Sequence, residues 1–220
     1  MNPTLVFDYD GTIHDTMKIY EPAFRKCCEG LVRGGYLPNE TIDCSRIAGW
    51  LGMNVKEMWQ DLAPELPEAM QSRGAKEIGD EMKRLVESHQ AHWYDGAEET
   101  LSLLKESGFS MIILSNCQTA YGIIHWQEFQ MERWFLQWYD CESFGYAPKS
   151  EIMKELKKTY PGNLVMIGDR ASDLAAARAV GCPFVGCSYG YGTPEELEGS
   201  DWIIGDIREL QTVCTQRGGD

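Results

Sequence analysis

Leu5-Val6-Phe7-Asp8-Tyr9-Asp10-Gly11-Thr12 is the stretch from which the fold of this chain is read. A short apolar run ends abruptly in two carboxylates one residue apart, and a Gly-Thr turn follows. A continuous apolar run of this length suits a strand buried on both faces, as in a parallel sheet flanked by helices. In an extended chain residues i and i+2 share a side, so Asp8 and Asp10 are expected to point together. Like charges that close repel unless a cation sits between them or one keeps its proton. Either outcome is chemistry. A second acidic pair, Asp169 and Asp173, follows another apolar run far down the chain.

Working outward, similar runs occur at 110–114, 164–167, 184–186 and 202–204, each ending in a polar or glycine-rich turn. Segments with helical period lie between them. Residues 97–107 place Leu101 and Leu104 on one side, with Gly108 as the stop. The alanine-rich 172–180 segment stops at Gly181-Cys182-Pro183. Alternating strand and helix predicts a doubly wound α/β fold, a Rossmann-like three-layer parallel sheet. Residues 14–94 break that rhythm. They contain no convincing strand and read as helices: one from Asp15 to about Gly30, one starting near Asn54, and one from Pro67 towards His92 that carries Gly74 and Gly79 inside it. An all-helical block after the first strand reads as an inserted cap, so residues 1–13 and 95–220 are expected to form the α/β core and 14–94 the cap.

Bulk composition narrows the partners. A formal net charge of −14 over 220 residues disfavours nucleic acid and an anionic membrane surface. It leaves small phosphate substrates open, because a bound cation and a lysine reverse the sign inside a pocket. The eight cysteines include the adjacent Cys27 and Cys28 and show no zinc spacing, so free thiols are expected. No apolar run approaches membrane-spanning length, and the first residues lack the pattern of a signal peptide. A cytoplasmic protein, monomer or homodimer, is the expectation.

Each polar hotspot follows an expected strand. Asp8 and Asp10 follow the first, Ser115-Asn116 ends Ile112-Ile113-Leu114, and Asp169 with Asp173 ends the run through Met166-Ile167-Gly168. Lys149 opens a helix after Pro148. In a parallel sheet these ends converge on one edge, bringing acids for a hard cation together with a hydroxyl, an amide and an ammonium for phosphate oxygens. The order and spacing of DYDGT, the strand-ending Ser, the lone Lys and Gly168-Asp169-Arg170-Ala171-Ser172-Asp173 resemble the haloacid dehalogenase superfamily of phosphohydrolases. Ser188-Tyr189-Gly190-Tyr191-Gly192 looks like the tail of its phosphoglycolate-phosphatase-like members.

The resemblance implies a Mg²⁺-dependent phosphatase acting on a small phosphorylated metabolite through an aspartyl-phosphate, with a helical cap of the C1 type. It carries Asp8 over as nucleophile and Asp10 as general acid and base. Asp8, the Asp10 main-chain carbonyl, Asp169 and Asp173 become metal ligands. Gly11, Thr12, Ser115, Asn116 and Lys149 become phosphate-binding residues. In the cap, Arg46, Gly49, Trp50 and Gly52 lie where related proteins place a substrate-specificity loop. A sugar-phosphate mutase, a pyrophosphatase or nucleotidase of the same superfamily, and a receiver-like signalling module are the competing readings; the Asp8–Asp10 pair stands against the last.

Other residues keep two readings at this level. Asp173 suits the first turn of its helix as well as a metal. Lys149 has Lys154, Lys157 and Lys158 beside it as a solvated basic face. Arg170 either orients Asp169 or points to solvent. His14 lines the pocket or packs, whereas His89, His92 and His125 read as packing or surface residues. Trp126, Phe129, Trp134, Phe135 and Trp138 read as core, with an exposed dimer patch as the alternative.

Overall fold

The computed structural model describes residues 2–51, 55–160 and 162–215. Contacts divide the chain into two units, Met1–Asp15 with His92–Asp220, and Thr16–Ala91. In chain order the elements are β1 (Thr4–Phe7), α1 (Met17–Arg33), α2 (Cys44–Gly49), α3 (Val55–Leu62), α4 (Glu68–Glu87), α5 (Ala97–Glu106), β2 (Ser110–Ser115), α6 (Thr119–Glu128), β3 (Trp138–Asp140), α7 (Lys149–Thr159), β4 (Leu164–Gly168), α8 (Ala171–Val180), β5 (Phe184–Cys187), β6 (Trp202–Ile204) and α9 (Leu210–Thr215).

The first unit is built on one sheet of order β3-β2-β1-β4-β5-β6. All pairings are parallel. Alternation along the strands explains the layers. Leu5, Phe7, Met111, Ile113, Val165 and Ile167 pack on one face with Leu101 and Leu104 of α5. Val6, Ile112, Leu114, Leu164, Met166 and Phe184 pack on the other with Ile152, Met153 and Leu156 of α7 and Ala176 and Ala177 of α8. Both faces are covered, so the strands read as unbroken apolar runs rather than alternating ones. From β1 the strand order proceeds to β2 and β3 on one side and restarts at β4 on the other. Ligands of such sheets bind beyond the carboxyl ends of the strands at that switch point, which here lies between β1 and β4.

β3 is absent from the sequence expectation. Its three residues, Trp138-Tyr139-Asp140, lack the Val/Ile/Leu character of the other strands, and Trp138 reads as one more member of the aromatic cluster. That cluster is core. Trp134 and Phe135 are buried, and Trp126, Phe129 and Trp138 pack against the same face.

The second unit is helical. α1 buries Ile19, Ala23, Phe24, Cys27 and Leu31, a three-four spacing that makes one apolar stripe. α4 runs unbroken through Gly74 and Gly79. Gly74 has a packing reason: a Cβ there would press into the Trp59 ring, which is fully buried. The Cys27 thiol donates to the Gly74 carbonyl at 3.6 Å, tying α1 to α4. His89, expected inside that helix, follows its end with φ 58°. The stretch expected to hold a substrate-specificity loop contains α2, whose Ile47 is buried and whose Arg46 and Ile47 amides bond to the Asp43 carbonyl. Asn54 and Gly52 lie outside the described residues.

All eight cysteines are free, among them the buried Cys27, Cys141, Cys182, Cys187 and Cys214. Among the described residues, no helix is long and apolar enough to cross a membrane.

Candidate active site

The ends of β1 and β4 are adjacent in register, with Phe7 opposite Ile167 and the Asp8 amide donating to the Ile167 carbonyl at 2.8 Å. This pairing brings Asp8 to Asp169. Asp173 joins them from the first turn of α8. Each of the three offers a carboxylate oxygen, and these atoms lie within 4.8 Å of one another. All three residues are buried.

Lys149 is the counter-charge. Its ammonium, 3% exposed as a residue, donates to Asp8 Oδ1 at 2.7 Å and to Asp173 Oδ1 at 2.6 Å. The solvated basic face offered by its neighbours is therefore not where Lys149 lies; Lys154 and Lys158 pair with Glu151 and Glu155 there. Asp173 fills its expected place in the first turn of α8, where its other oxygen accepts the Arg170 amide at 3.0 Å, while its Oδ1 stays with Lys149. Asp8 Oδ1 also accepts the Tyr9 amide at 2.7 Å.

Asp169 is held by the 188–192 segment. Tyr191 N donates to Asp169 Oδ2 at 2.7 Å. This approach requires glycine on either side of Tyr191. A Cβ on Gly192 would collide with the Asp169 carbonyl, and one on Gly190 with the Asp169 side chain and the Gly11 carbonyl. The flanking glycines were the sequence signal for this anchor.

The electrostatics show a shortage of positive charge. Burial pushes Asp8 well above the ordinary carboxylate value and the Asp173 charge adds to it, against the pull of Lys149. Burial, reinforced by Asp173, raises Asp169 to about 7. Burial alone would lower Lys149, but the Asp173 and Asp8 carboxylates outweigh it and hold the ammonium charged. The three buried carboxylates, with one ammonium against three negative charges, offer an all-oxygen donor set that fits a hard divalent cation such as Mg²⁺.

Asp10 lies outside that trio. β1 ends at Phe7, so the alternation that would have aligned Asp8 with Asp10 does not extend to them. The Asp10 side chain is 30% exposed, and its Oδ1 accepts the Tyr121 hydroxyl at 2.7 Å and lies 3.1 Å from His14 Nδ1. Tyr121 went unnoticed in the sequence, where nothing links a tyrosine in α6 to the first strand. His14 is fully buried beside Asp10, while His125 bonds through Nδ1 to the Tyr9 hydroxyl at 2.8 Å. Burial lowers His125 to about 3, so it is neutral. His89 and His92 are exposed.

The phosphate-binding expectation divides. Ser115 ends β2 buried, with its hydroxyl accepting the Cys117 amide at 3.2 Å, and Asn116 is exposed beside it. Thr12 and Gly11 take part in the loop itself. The Thr12 side chain is fully buried and donates to Asp169 Oδ1 at 3.5 Å. The Gly11 and Thr12 amides close their own turn, onto the His14 and Tyr9 carbonyls at 3.0 and 3.2 Å. A tight turn spends its amides internally, so these two residues shape the loop and support Asp169. Arg170 pairs with Glu196 at 2.9 Å, a partner the sequence did not indicate.

In the helical unit, Arg46 donates to Asp61 Oδ2 at 3.2 Å and lies 5.3 Å over the Trp50 ring. Trp50 is buried and donates its indole N–H to the same carboxylate at 2.9 Å. Gly49 is exposed at the end of α2.

Comparison with known proteins agrees with this geometry. The family model for haloacid dehalogenase-like hydrolases matches residues 5–187. Phosphoglycolate phosphatase from Vibrio vulnificus (strain YJ016) is 24% identical over 220 residues, covering 95% of this chain and 94% of that protein. The enzyme of the same name from Haemophilus influenzae (strain 86-028NP) is 28% identical over 139 residues, covering 54% of this chain and 56% of its own. Among solved structures, a predicted phosphoglycolate phosphatase from Haemophilus somnus 129pt superposes with TM-score 0.81 at 20% identity, covering 96% of this chain and 97% of that one. A predicted phosphatase from Clostridium acetobutylicum gives 0.78 at 21%, covering 98% and 99%. The structural likenesses speak for the fold.

Proposed function

The chain belongs to the haloacid dehalogenase-like hydrolase family, and from that premise we propose that it is a Mg²⁺-dependent phosphatase that hydrolyses a small phosphate monoester through an aspartyl-phosphate. The observation that carries the reading is the buried trio Asp8, Asp169 and Asp173 with Lys149 bridging two of its members. Such a group is too short of positive charge to be a structural ion pair and too buried to be a solvated acidic patch.

Asp8, Asp169 and Asp173, with the Asp10 main-chain carbonyl, are the residues that would hold Mg²⁺. The ion supplies electrostatic stabilisation of the transferring phosphoryl group. Asp8 attacks phosphorus as the ester P–O bond breaks, and Asp10 gives its proton to the departing oxygen. Water then attacks the aspartyl-phosphate while Asp10 takes its proton, releasing inorganic phosphate and the Asp8 carboxylate. Lys149 holds Asp8 in place and, with the Ser115 hydroxyl and Asn116, binds the non-bridging oxygens.

The helical unit Thr16–Ala91, inserted in sequence directly after the first strand and its turn, is assigned the role of a cap that excludes bulk water during the first step. Arg46 and Gly49 are its proposed substrate-reading positions, with Trp50 supporting α2 from below. Phosphoglycolate leads the substrate class because curated relatives carry that activity in their names.

The test is release of inorganic phosphate with Mg²⁺ across a panel of 2-phosphoglycolate, sugar phosphates, nucleotides and pyrophosphate, with isomer formation followed in parallel for hexose phosphates. Multiple turnover of a carboxylated or neutral monoester is expected. Release from none of them, or isomer formation without release, overturns the reading.

Metal binding has its own expected outcome. A carboxyl whose folded pKa is raised, as for Asp169 at about 7, costs stability as pH rises from the unfolded value through the folded one, because the native state binds the extra proton. Without metal the Tm is therefore expected to fall between pH 5 and pH 8. A cation competes with that proton, so saturating Mg²⁺ raises Tm more at pH 8 than at pH 5. Thermal melts in which the Mg²⁺ shift is the same at both values would remove the acid trio as the site.

A further inference from the structure

Outside the acid trio, the most developed polar arrangement surrounds Asp10. Tyr121, from α6, donates its hydroxyl to Asp10 Oδ1 at 2.7 Å. His14 places Nδ1 3.1 Å from the same oxygen and 3.3 Å from the Tyr121 hydroxyl. Two side chains from separate parts of the chain thus converge on one oxygen of one carboxyl.

Neither is loosely held. The turn that follows Asp10 locks the His14 backbone, with His14 N donating to the Tyr9 carbonyl and Gly11 N to the His14 carbonyl, both at 3.0 Å. The His14 ring stacks on Tyr9 at 5.2 Å and meets the edge of His125 at 4.7 Å. His125 in turn lies 4.2 Å from the Tyr121 ring. Tyr9 is fixed through its hydroxyl, which accepts the Trp93 indole N–H at 3.2 Å and shares a hydrogen bond with His125 Nδ1 at 2.8 Å. The rings form one packed block, and the polar atoms of Tyr121 and His14 meet at Asp10.

Resting on the proposed function, we infer that Tyr121 and His14 are positioning residues for Asp10: the contacts they make at Oδ1 fix the rotamer in which the carboxyl meets the leaving group. A clamped carboxyl meets the departing oxygen without a search over rotamers.

Substrates with different leaving groups isolate this effect. kcat/KM covers only the steps up to loss of the leaving group. An alkyl phosphate needs its oxygen protonated, whereas para-nitrophenolate departs without help. Tyr121→Phe is expected to lower kcat/KM for an alkyl phosphate by about 10- to 100-fold and for para-nitrophenyl phosphate by less than about threefold. His14→Leu follows the same pattern, and His14→Asn, which keeps an N–H near that place, recovers most of the alkyl rate. In an Asp10→Asn background Tyr121→Phe adds no further alkyl selectivity, because the group it positions is gone.

Equal losses on the two esters, no loss on either, or a full multiplicative effect in the Asp10→Asn background each overturn the inference. Should Tyr121→Phe fail to fold, the His14 pair decides alone. Alkyl-selective loss in Asp10→Asn without it in Tyr121→Phe or His14→Leu sinks the clamp and keeps Asp10 as the acid. Equal losses on both esters in Asp10→Asn sink the underlying reading.

Discussion

Asp8→Asn is expected to stop turnover while leaving a folded protein, with kcat lowered at least ~10,000-fold. The amide is nearly isosteric but cannot attack phosphorus as an anion, and no neighbour replaces it: Asp169 is engaged by the Tyr191 amide and Asp173 by Lys149 and the Arg170 amide. Stability gives the control. Burial and the Asp173 charge raise the Asp8 carboxyl well above its ordinary value, so its ionised form strains the folded state at neutral pH. Removing that charge is expected to leave the metal-free Tm at pH 8 unchanged or higher, a trade between stability and activity common at functional sites. Phosphate release and a thermal melt on one preparation check both halves. A stable variant that still turns over would remove Asp8 as nucleophile.

Asp10→Asn carries the second large effect. The carboxamide keeps an oxygen for the Tyr121 hydroxyl, so the local geometry survives, yet it has no proton to give and takes none from water. General acid–base assistance contributes about 100- to 10,000-fold, and kcat/KM for an alkyl phosphate is expected to fall within that range. The same constant for para-nitrophenyl phosphate is expected to stay within about tenfold, since that leaving group departs unassisted. The Mg²⁺-dependent Tm shift is expected to persist, because Asp10 contributes a main-chain carbonyl to the proposed ligand set. Comparing the two esters under single-turnover conditions measures the first displacement alone. Parallel losses on both would show that Asp10 does something other than protonate.

How much of this was legible in the sequence follows from which interactions are local. The five apolar runs announced their strands because a strand covered on both faces cannot hide its composition. Lys149 and Asp173 were placed correctly at helix starts, and the sheet topology did the rest of the convergence. β3 was illegible because a three-residue strand beside an aromatic cluster has no periodicity to read. Gly74 looked like a weak point in α4 until Trp59, distant in sequence, was seen to need the space. That the Gly11 and Thr12 amides close their own turn was not legible, because the sequence does not show which carbonyls an amide meets. Tyr121 was missed for the deepest reason: its partner, Asp10, is more than a hundred residues away, and only the completed sheet makes them neighbours.

The central place of β1 also governs how the molecule is assembled. Its hydrogen-bonding partners are β2, at residues 110–113, and β4, at residues 164–167. The segment bearing Asp8 is thus the first part of the sheet to leave the ribosome and must wait for β2 before one edge is satisfied and for β4 before the other is. Loop closure over such separations slows folding and leaves an apolar, unpaired strand exposed meanwhile. The helical insertion lengthens that wait by the whole of its own synthesis. The residue on which the chemistry depends is translated ahead of the rest of the sheet and enclosed only when β4 arrives.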